Sequence, residues 1–461
     1  MSHVETTAPN GVNKLYFAAW RWHFYAGLFV VPFLLMLALT GAFMMSYNYL
    51  GNEMGYTSDV AVTGPALPPS QLATAALNSV PDGAVVTYIT PASETRPAFV
   101  EVAKGDAVLA IAVNPYTAEV IQSNDKAAAW RTWAEQVHGT LLIGTLGDRL
   151  IEAAASLTIL LIATGLYMWW PRSGGVMAAV VPNLAAKGRA FWKELHKSVG
   201  FWISAVLVIF MLSGLAWAGI WGDMYVKPWG GFPANKWDNV PLSDLTHADL
   251  NHTALHEVPW ALESTPLPAS GSDAGTPAVA QPVVLDTVVQ WADQNGFADQ
   301  YRVSLPASET GVYSIAIDGR NGDGFTPSDD RFVHIDRYTG NILADVPFAD
   351  YPLLGKAMAW GIGLHKGEAG PLNFWFNAVY LALVVFLCVS GVVMWWMRRP
   401  VGAARLAAPP MPADLPMWKG AVLVALATAM AFPMAGVALL VVLVLDLIVL
   451  ANLPILKRLV S

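Results

Sequence analysis

This sequence predicts a mainly α-helical polytopic membrane protein made of two tandem repeats, with two small α+β modules outside the membrane and a C-terminal helical hairpin. Three observations carry the prediction. First, 55% of the 461 residues are hydrophobic, only 13% are charged and 19 are Trp, which lies outside the usual balance of a soluble domain. Second, the charge-free windows 22–52, 153–171, 198–222 and 369–397 meet or approach the roughly 20 residues needed to cross a hydrocarbon core. Third, the chain repeats itself. His138 lies 31 residues before Trp169 and His365 lies 30 before Trp395, each followed by a Trp-Trp pair and a nearby basic residue. His23 is followed by Gly27 and Gly41, and His196 by Gly200 and Gly214, at the same spacings of 4 and 18.

Taken in order, residues 1–14 are a polar N-terminus and 15–48 are the first span, too long and too far from the start for a cleaved signal peptide. Residues 49–132 form the first external module, with helical periodicity over Ser70–Ser79. Strands are expected at Ala84–Thr90, Ala98–Ala103 and Val108–Val113, with a turn at Asn114–Tyr116 into Glu119–Gln122. The second span is 133–172, a loop covers 173–190 and the third span is 191–222. Residues 223–359 hold a linker and the second module. Its Pro-, Ser-, Gly- and Ala-rich stretch Pro259–Pro282 reads as flexible. It is followed by a helix near Val283–Gln294, strands near Arg302–Leu305, Val312–Asp318 and Phe332–Asp336, and a turn at Asp336–Gly340. The module turns VNPYTAEVI and IDRYTGNIL match each other. The fourth span is 360–399, beginning its helix near Leu364, and 400–417 is a linker. The region 418–456 is too long for one upright span and is broken by Pro433, so it reads as a hairpin turning near Phe432–Gly436, with Asp446 in its second arm.

Lys14 and Arg21, then Arg172, Lys187, Arg189, Lys193 and Lys197, then Arg398, Arg399 and Arg405 cluster at alternate helix ends. Positive residues of short loops stay in the cytoplasm. Both termini are therefore expected inside and both modules outside, where most of the acids behind the net charge of −8 lie. The single cysteine, Cys388, excludes an intramolecular disulfide and is read as packing.

Tandem units that each start inside are parallel repeats related by an axis along the membrane normal. His23 and His196 then share one depth, and His138 and His365 the other. A facing histidine pair in a helical bundle is the arrangement that clamps one haem iron from both sides, so two pairs predict a four-helix haem-binding bundle. The neighbouring glycines Gly27, Gly41, Gly139, Gly144, Gly200, Gly214 and Gly363 give a flat macrocycle room, and they are equally what tight helix packing needs. Arg149 is a candidate for a haem propionate or for pairing with Asp148 or Glu152; Arg21 and Lys197 serve propionates or anchor the topology. His252 and His256 stand at the i, i+4 spacing of metal sites, near His247, but without the Glu of an HExxH motif. The loop Asp318–Asp330 reads as a surface turn.

The stretches HGTLLIGTLGDRLIEAAASLTILLIATGLYMWWPR, ELHKSVGFWISAVLVIFMLSGLAW and GLHKGEAGPLNFWFNAVYLALVVFLCVSGVVMWW resemble the PepSY-associated transmembrane family of bacterial inner-membrane proteins, over nearly all of residues 15–400. The resemblance implies two periplasmic PepSY-type modules and haem b, two in number, held by His23, His196, His138 and His365. It also implies, as in several members, reduction of ferric siderophores in the periplasm with release of Fe(II). The Gly-Asn-Arg often seen after the fourth-helix histidine is Leu372-Asn373-Phe374 here, without the basic partner.

The function expected is a transmembrane reductase of the inner membrane, passing electrons from the cytoplasmic side to a ferric chelate. No GxGxxG or flavin-binding cytoplasmic domain is present, so the donor is separate: a membrane quinol or a soluble reductase. Lipid is the other partner, and nothing in the sequence points to nucleic acid. Two other classes stay open: a siderophore or metal permease using Asp446 and the break at Pro433, and a non-catalytic module whose PepSY-like domains bind or restrain a peptidase.

Overall fold

The computed structural model describes residues 14–50, 57–171, 175, 177–229, 237, 239–251, 258, 262–297, 300–317, 326–399, 406, 408, 409 and 426–444. The chain divides into two compact units, one drawn from Met1–Thr40, His138–Tyr225 and Asn377–Ser461, the other from Gly41–Val137 and Val226–Phe376.

The first unit is helical. Along the whole chain, helices α1 (Lys14–Leu50), α2 (Pro69–Asn78), α3 (Trp130–Thr140), α4 (Thr145–Trp169), α5 (Met177–Val180), α6 (Arg189–Leu215), α7 (Trp221–Tyr225), α8 (Leu285–Gln294), α9 (Leu353–Lys366) and α10 (Pro371–Trp396) follow in order, of which α2, α8, α9 and most of α3 belong to the second unit. Four of them, α1, α4, α6 and α10, are long and apolar enough to cross a membrane. An α-helix satisfies its backbone hydrogen bonds within one segment, so its sides can be apolar all round and still be stable in lipid. Ala38 of α1, Ala155 of α4, Ile203, Leu207, Met211 and Leu215 of α6 and Tyr380 and Val384 of α10 are buried in one cluster. Outward-facing Leu39, Trp202, Ile209 and Val379 stay exposed, as a lipid-facing surface requires. Cys388 is buried in α10, in line with a packing role.

The second and fourth predicted spans are each two helices. α3 ends at Thr140, Leu141 and Leu142 take left-handed backbone, and α4 begins at Thr145. α9 ends on Gly367, at φ 78° and ψ 19°, whose N–H bonds the Gly363 carbonyl; glycine adopts this helix-ending conformation without a Cβ penalty. Pro371 then opens α10, where its missing N–H costs no helix bond. Asn373 bridges the break, accepting from the Ala369 N–H at 3.1 Å and donating to the Leu364 carbonyl at 3.1 Å. His138 and His365 therefore lie on α3 and α9, ahead of the spanning helices, and not on them as the sequence suggests.

At the C-terminal end, residues 426–431 are helical, Phe432 interrupts, and a second helix runs Pro433–Val444. A Cβ on Gly436 would stand 2.7 Å from the Ala429 Cβ, so the chain bends sharply between these two helices. Asp446 and the ends of the 418–456 hairpin lie outside the described residues.

The second unit contains a nine-stranded sheet, which makes the protein less purely helical than its composition suggests. The strands are β1 (Ala84–Ile89), β2 (Ala98–Lys104), β3 (Ala107–Val113), β4 (Val120–Asp125), β5 (Leu242–Thr246), β6 (Pro266–Pro268), β7 (Thr276–Pro277), β8 (Tyr301–Ser304), β9 (Val312–Ile317), β10 (Arg331–Asp336) and β11 (Asn341–Pro347). The large sheet runs β4-β3-β2-β1-β8-β9-β10-β11-β7, and β5 pairs with β6 separately. The two expected modules are thus one continuous sheet, joined where β1 pairs antiparallel with β8, Thr87 opposite Ser304 and Tyr88 opposite Val303. One sheet cannot straddle a bilayer, whose core leaves no partner for an open edge.

Helices α2 and α8 cover one face of the sheet. Leu72, Ala73 and Ala76 of α2 and Leu285, Val288, Val289 and Ala292 of α8 meet Val100, Val102, Ile111, Val303, Ile315 and Val333 in one buried core. Each such aliphatic side chain contributes ~2 kcal/mol by leaving water. The Pro-rich stretch read as a linker belongs partly to the fold. Within it Leu262 and Leu267 are buried and β6 and β7 form, because Pro is tolerated in edge strands where no ladder N–H is needed. The turn at Pro327–Asp329 is likewise packed, with Pro327 buried; the rest of the predicted surface turn, residues 318–325, lies outside the described residues.

Candidate cofactor site

α1 and α6 each carry a histidine in their first half, about two turns inside the helix start, His23 and His196. Their rings approach with centres 6.5 Å apart at an interplanar angle of 86°. Each ring also meets a hydroxyl of another helix. Nδ1 of His23 is 3.0 Å from the Thr164 hydroxyl of α4, and Nδ1 of His196 is 2.8 Å from the Ser390 hydroxyl of α10. His138 has the same kind of contact, Nδ1 being 2.8 Å from the Thr40 hydroxyl of α1.

Every one of these hydroxyls also contacts its own helix: Thr164 donates to the Leu160 carbonyl at 2.7 Å, Ser390 to Leu387 at 3.0 Å and Thr40 to Met36 at 2.8 Å. In sequence each precedes a glycine. A Cβ at Gly165 would lie 3.3 Å from Cε1 of His23, and one at Gly391 3.7 Å from Cε1 of His196, so these positions give the imidazoles their seat. The same Ser/Thr-Gly pair recurs as Ser213-Gly214 on α6, where Ser213 donates to the Ile209 carbonyl at 2.8 Å. These residues escaped the sequence reading, although the dipeptide occurring once in each of the four spanning helices was the signal that could have found them.

The glycines one turn beyond the inner histidines stand apart from packing. Among the described residues a Cβ at Gly27 would meet nothing within 4 Å, and one at Gly200 only a Leu387 methyl at 3.9 Å. Tight helix contact explains neither.

Arg149 is engaged. Its guanidinium pairs with Asp148 at 2.7 Å and Glu152 at 3.3 Å, while Glu152 accepts the Ile220 and Trp221 N–H groups at 3.2 and 3.1 Å. This network ties the start of α4 to the segment after α6. Arg21 donates to the Pro409 carbonyl and the Tyr25 hydroxyl, and Lys197 pairs with Glu194. The indoles of Trp169 and Trp395 donate to the Ala179 and Leu406 carbonyls, pinning the loops beyond α4 and α10.

His252 and His256 lie outside the described residues. No group of three or more metal-ligating side chains occurs among the described residues. His247, near them in sequence, turns inward. Its Nδ1 is 2.8 Å from the Thr265 carbonyl and its Nε2 2.9 Å from Nε2 of His334, whose Nδ1 faces the Ser314 hydroxyl at 2.9 Å. Burial lowers the pKa of both, His247 to about 4.

The architecture defines a polytopic membrane protein with four apolar spans and a histidine pair between two of them in one unit, and a large antiparallel sheet in the other. Residues 20–398 match the family model of the PepSY-associated TM region, and the chain belongs to that family. No curated protein matches it.

Proposed function

We propose that this chain is a haem-holding electron-transfer protein of the bacterial inner membrane that reduces a ferric chelate, such as a ferric siderophore, and releases Fe(II). The observation that carries the reading is the His23–His196 pair. A metal–imidazole bond is about 2 Å and a ring nitrogen stands about 1 Å from its ring centre, so two imidazoles clamping one ion from opposite sides have centres ~6 Å apart, against the 6.5 Å found. A near-perpendicular pair of rings is compatible with this, since each ligand ring can turn about the bond axis. The open flanks of Gly27 and Gly200 support space for a flat ring beside the pair.

In this reading His23 and His196 hold one haem b, and His138, with its matching hydroxyl contact, is a ligand of a second. His365 is retained as a ligand on the sequence spacing. The haem supplies one-electron chemistry; the protein fixes its ligands, excludes water with an apolar helix core and sets the side from which electrons leave. The sheet stands on the releasing side, the periplasm by the distribution of Lys and Arg, where the chelate binds. A quinol or a soluble reductase is the donor. Arg149, held by Asp148 and Glu152, is assigned to the structure and not to a propionate.

The test is an oxidised and dithionite-reduced optical spectrum of the detergent-purified protein with a pyridine-haemochrome count. Low-spin b-type haem lost on His23→Ala and on His196→Ala is expected; purified protein without haem would sink the reading.

A further inference from the structure

We propose that Thr164 and Ser390, and Thr40 in the same way, are positioning residues that fix the tautomer of the histidines they touch, so that each imidazole presents a bare Nε2 as its ligand atom. The inference deepens the haem reading and rests on it for its purpose, although the tautomer itself does not depend on haem.

A hydroxyl has one proton and two lone pairs. Thr164 places that proton on the Leu160 carbonyl at 2.7 Å and so can only accept from Nδ1 of His23 at 3.0 Å. Ser390 places its proton on the Leu387 carbonyl at 3.0 Å and accepts from Nδ1 of His196 at 2.8 Å. Thr40, bonded to the Met36 carbonyl at 2.8 Å, accepts from Nδ1 of His138 at 2.8 Å. In all three the helix carbonyl uses the only proton available, Nδ1 must carry its own, and a neutral imidazole with a protonated Nδ1 has its lone pair on Nε2. The nitrogen that is not metallated commonly sets which nitrogen is. Here a carbonyl-anchored hydroxyl does so, and the glycine that follows it leaves the ring room, a Cβ at Gly165 coming 3.3 Å from Cε1 of His23.

The experiment is nitrogen NMR of full-length protein labelled with 15N-histidine, made without haem and held in lipid nanodiscs. His23, His138 and His196 are assigned by single His→Asn variants. Pyrrole-type Nδ1 and pyridine-type Nε2 shifts at these three rings are expected; a protonated Nε2 overturns the assignment. In haem-loaded protein, Thr164→Val should weaken haem retention about 10-fold, the lower end for loss of a partner that orients a ligand, and shift the midpoint potential, whereas Thr164→Ser restores both. Equal retention and potential in all three proteins also overturns it. A wild type that shows the expected tautomers but takes up no haem ends the haem reading and leaves the tautomer assignment standing.

Discussion

Acid should act on the sheet through His247. Its Nδ1 faces a carbonyl and must donate, so its Nε2 accepts from the Nε2–H of His334, which in turn accepts at Nδ1 from Ser314. Adding a proton to His247 puts two N–H groups face to face at 2.9 Å and leaves a charge in the core. Its pKa accordingly falls from 6.5 to about 4. The neutral form is the one the fold keeps, so the stability contributed is full above the unfolded pKa, falls as pH drops through 6.5, and levels off below about 4. Between pH 7 and pH 5 this linkage comes to ~2 kcal/mol, or about 20-fold in an opening equilibrium. Asp330, at the head of β10, works in the opposite direction, since burial first and the Asp329 charge second push its carboxyl up to about 7. The His247→Gln variant separates the two, because Asp330 is common to both proteins. Hydrogen exchange of β10 peptides, read by mass spectrometry on the full chain in detergent, should show the variant gaining about 20-fold in protection relative to wild type on going from pH 7 to pH 5. A variant-to-wild-type ratio that does not move with pH refutes the reasoning.

Three more outcomes follow from contacts described or closely related. Lys126 and Glu101, 2% and 0% exposed, pair at 2.7 Å, with Arg302 a more distant 3.8 Å from the same carboxylate, so Lys126→Met leaves the buried carboxylate to that longer contact and should cost ~3 kcal/mol, seen as a lowered thermal midpoint; an unchanged midpoint contradicts the importance of the pair. A Cβ at Gly363 would stand 2.7 Å from Cγ of Pro327, and a proline ring cannot swing aside. Gly363→Ala should therefore destabilise the α9 contact by about 1–3 kcal/mol, read as faster exchange in residues 353–366; no change would show that the loop yields freely. Arg149→Met should lower the unfolding temperature in detergent and leave the optical spectrum of the proposed haem as it was, whereas a displaced spectrum would return Arg149 to the cofactor.

Much of this was legible in the sequence where the determinants are local. The strands that were predicted fall within about three residues of the observed ends, because Val, Ile and Ala alternate there between turns such as Asn114–Tyr116 and Asp336–Gly340, whereas β5, β6, β7 and β11 were not predicted. The spans were plain from apolar length. What was not legible depends on residues far apart. The β1–β8 ladder joins Thr87 to Ser304, and no local pattern announces it. The breaks after His138 and His365 hide because Leu141 and Leu142 look like helix, although their φ values are 52° and 61°. Pro259–Pro282 looked solvated by composition, yet Leu262 and Leu267 are buried in or beside the sheet module. In the site, the histidines stood out by spacing, while their partners Thr40, Thr164 and Ser390 are common residues in a membrane helix and become meaningful only when the fold brings them to a ring nitrogen.

The continuous sheet also constrains how the protein is made. β1 emerges from the ribosome more than 200 residues before β8, and between them α4 and α6 must be threaded into the membrane. Until β8 arrives, β1 presents an unpaired edge, an invitation to pair with another chain, and the first half-sheet waits as an incomplete folding intermediate. Synthesis, insertion and closure of the sheet are therefore locked in one order, and slowing insertion of α4 or α6 lengthens the time during which that edge is exposed.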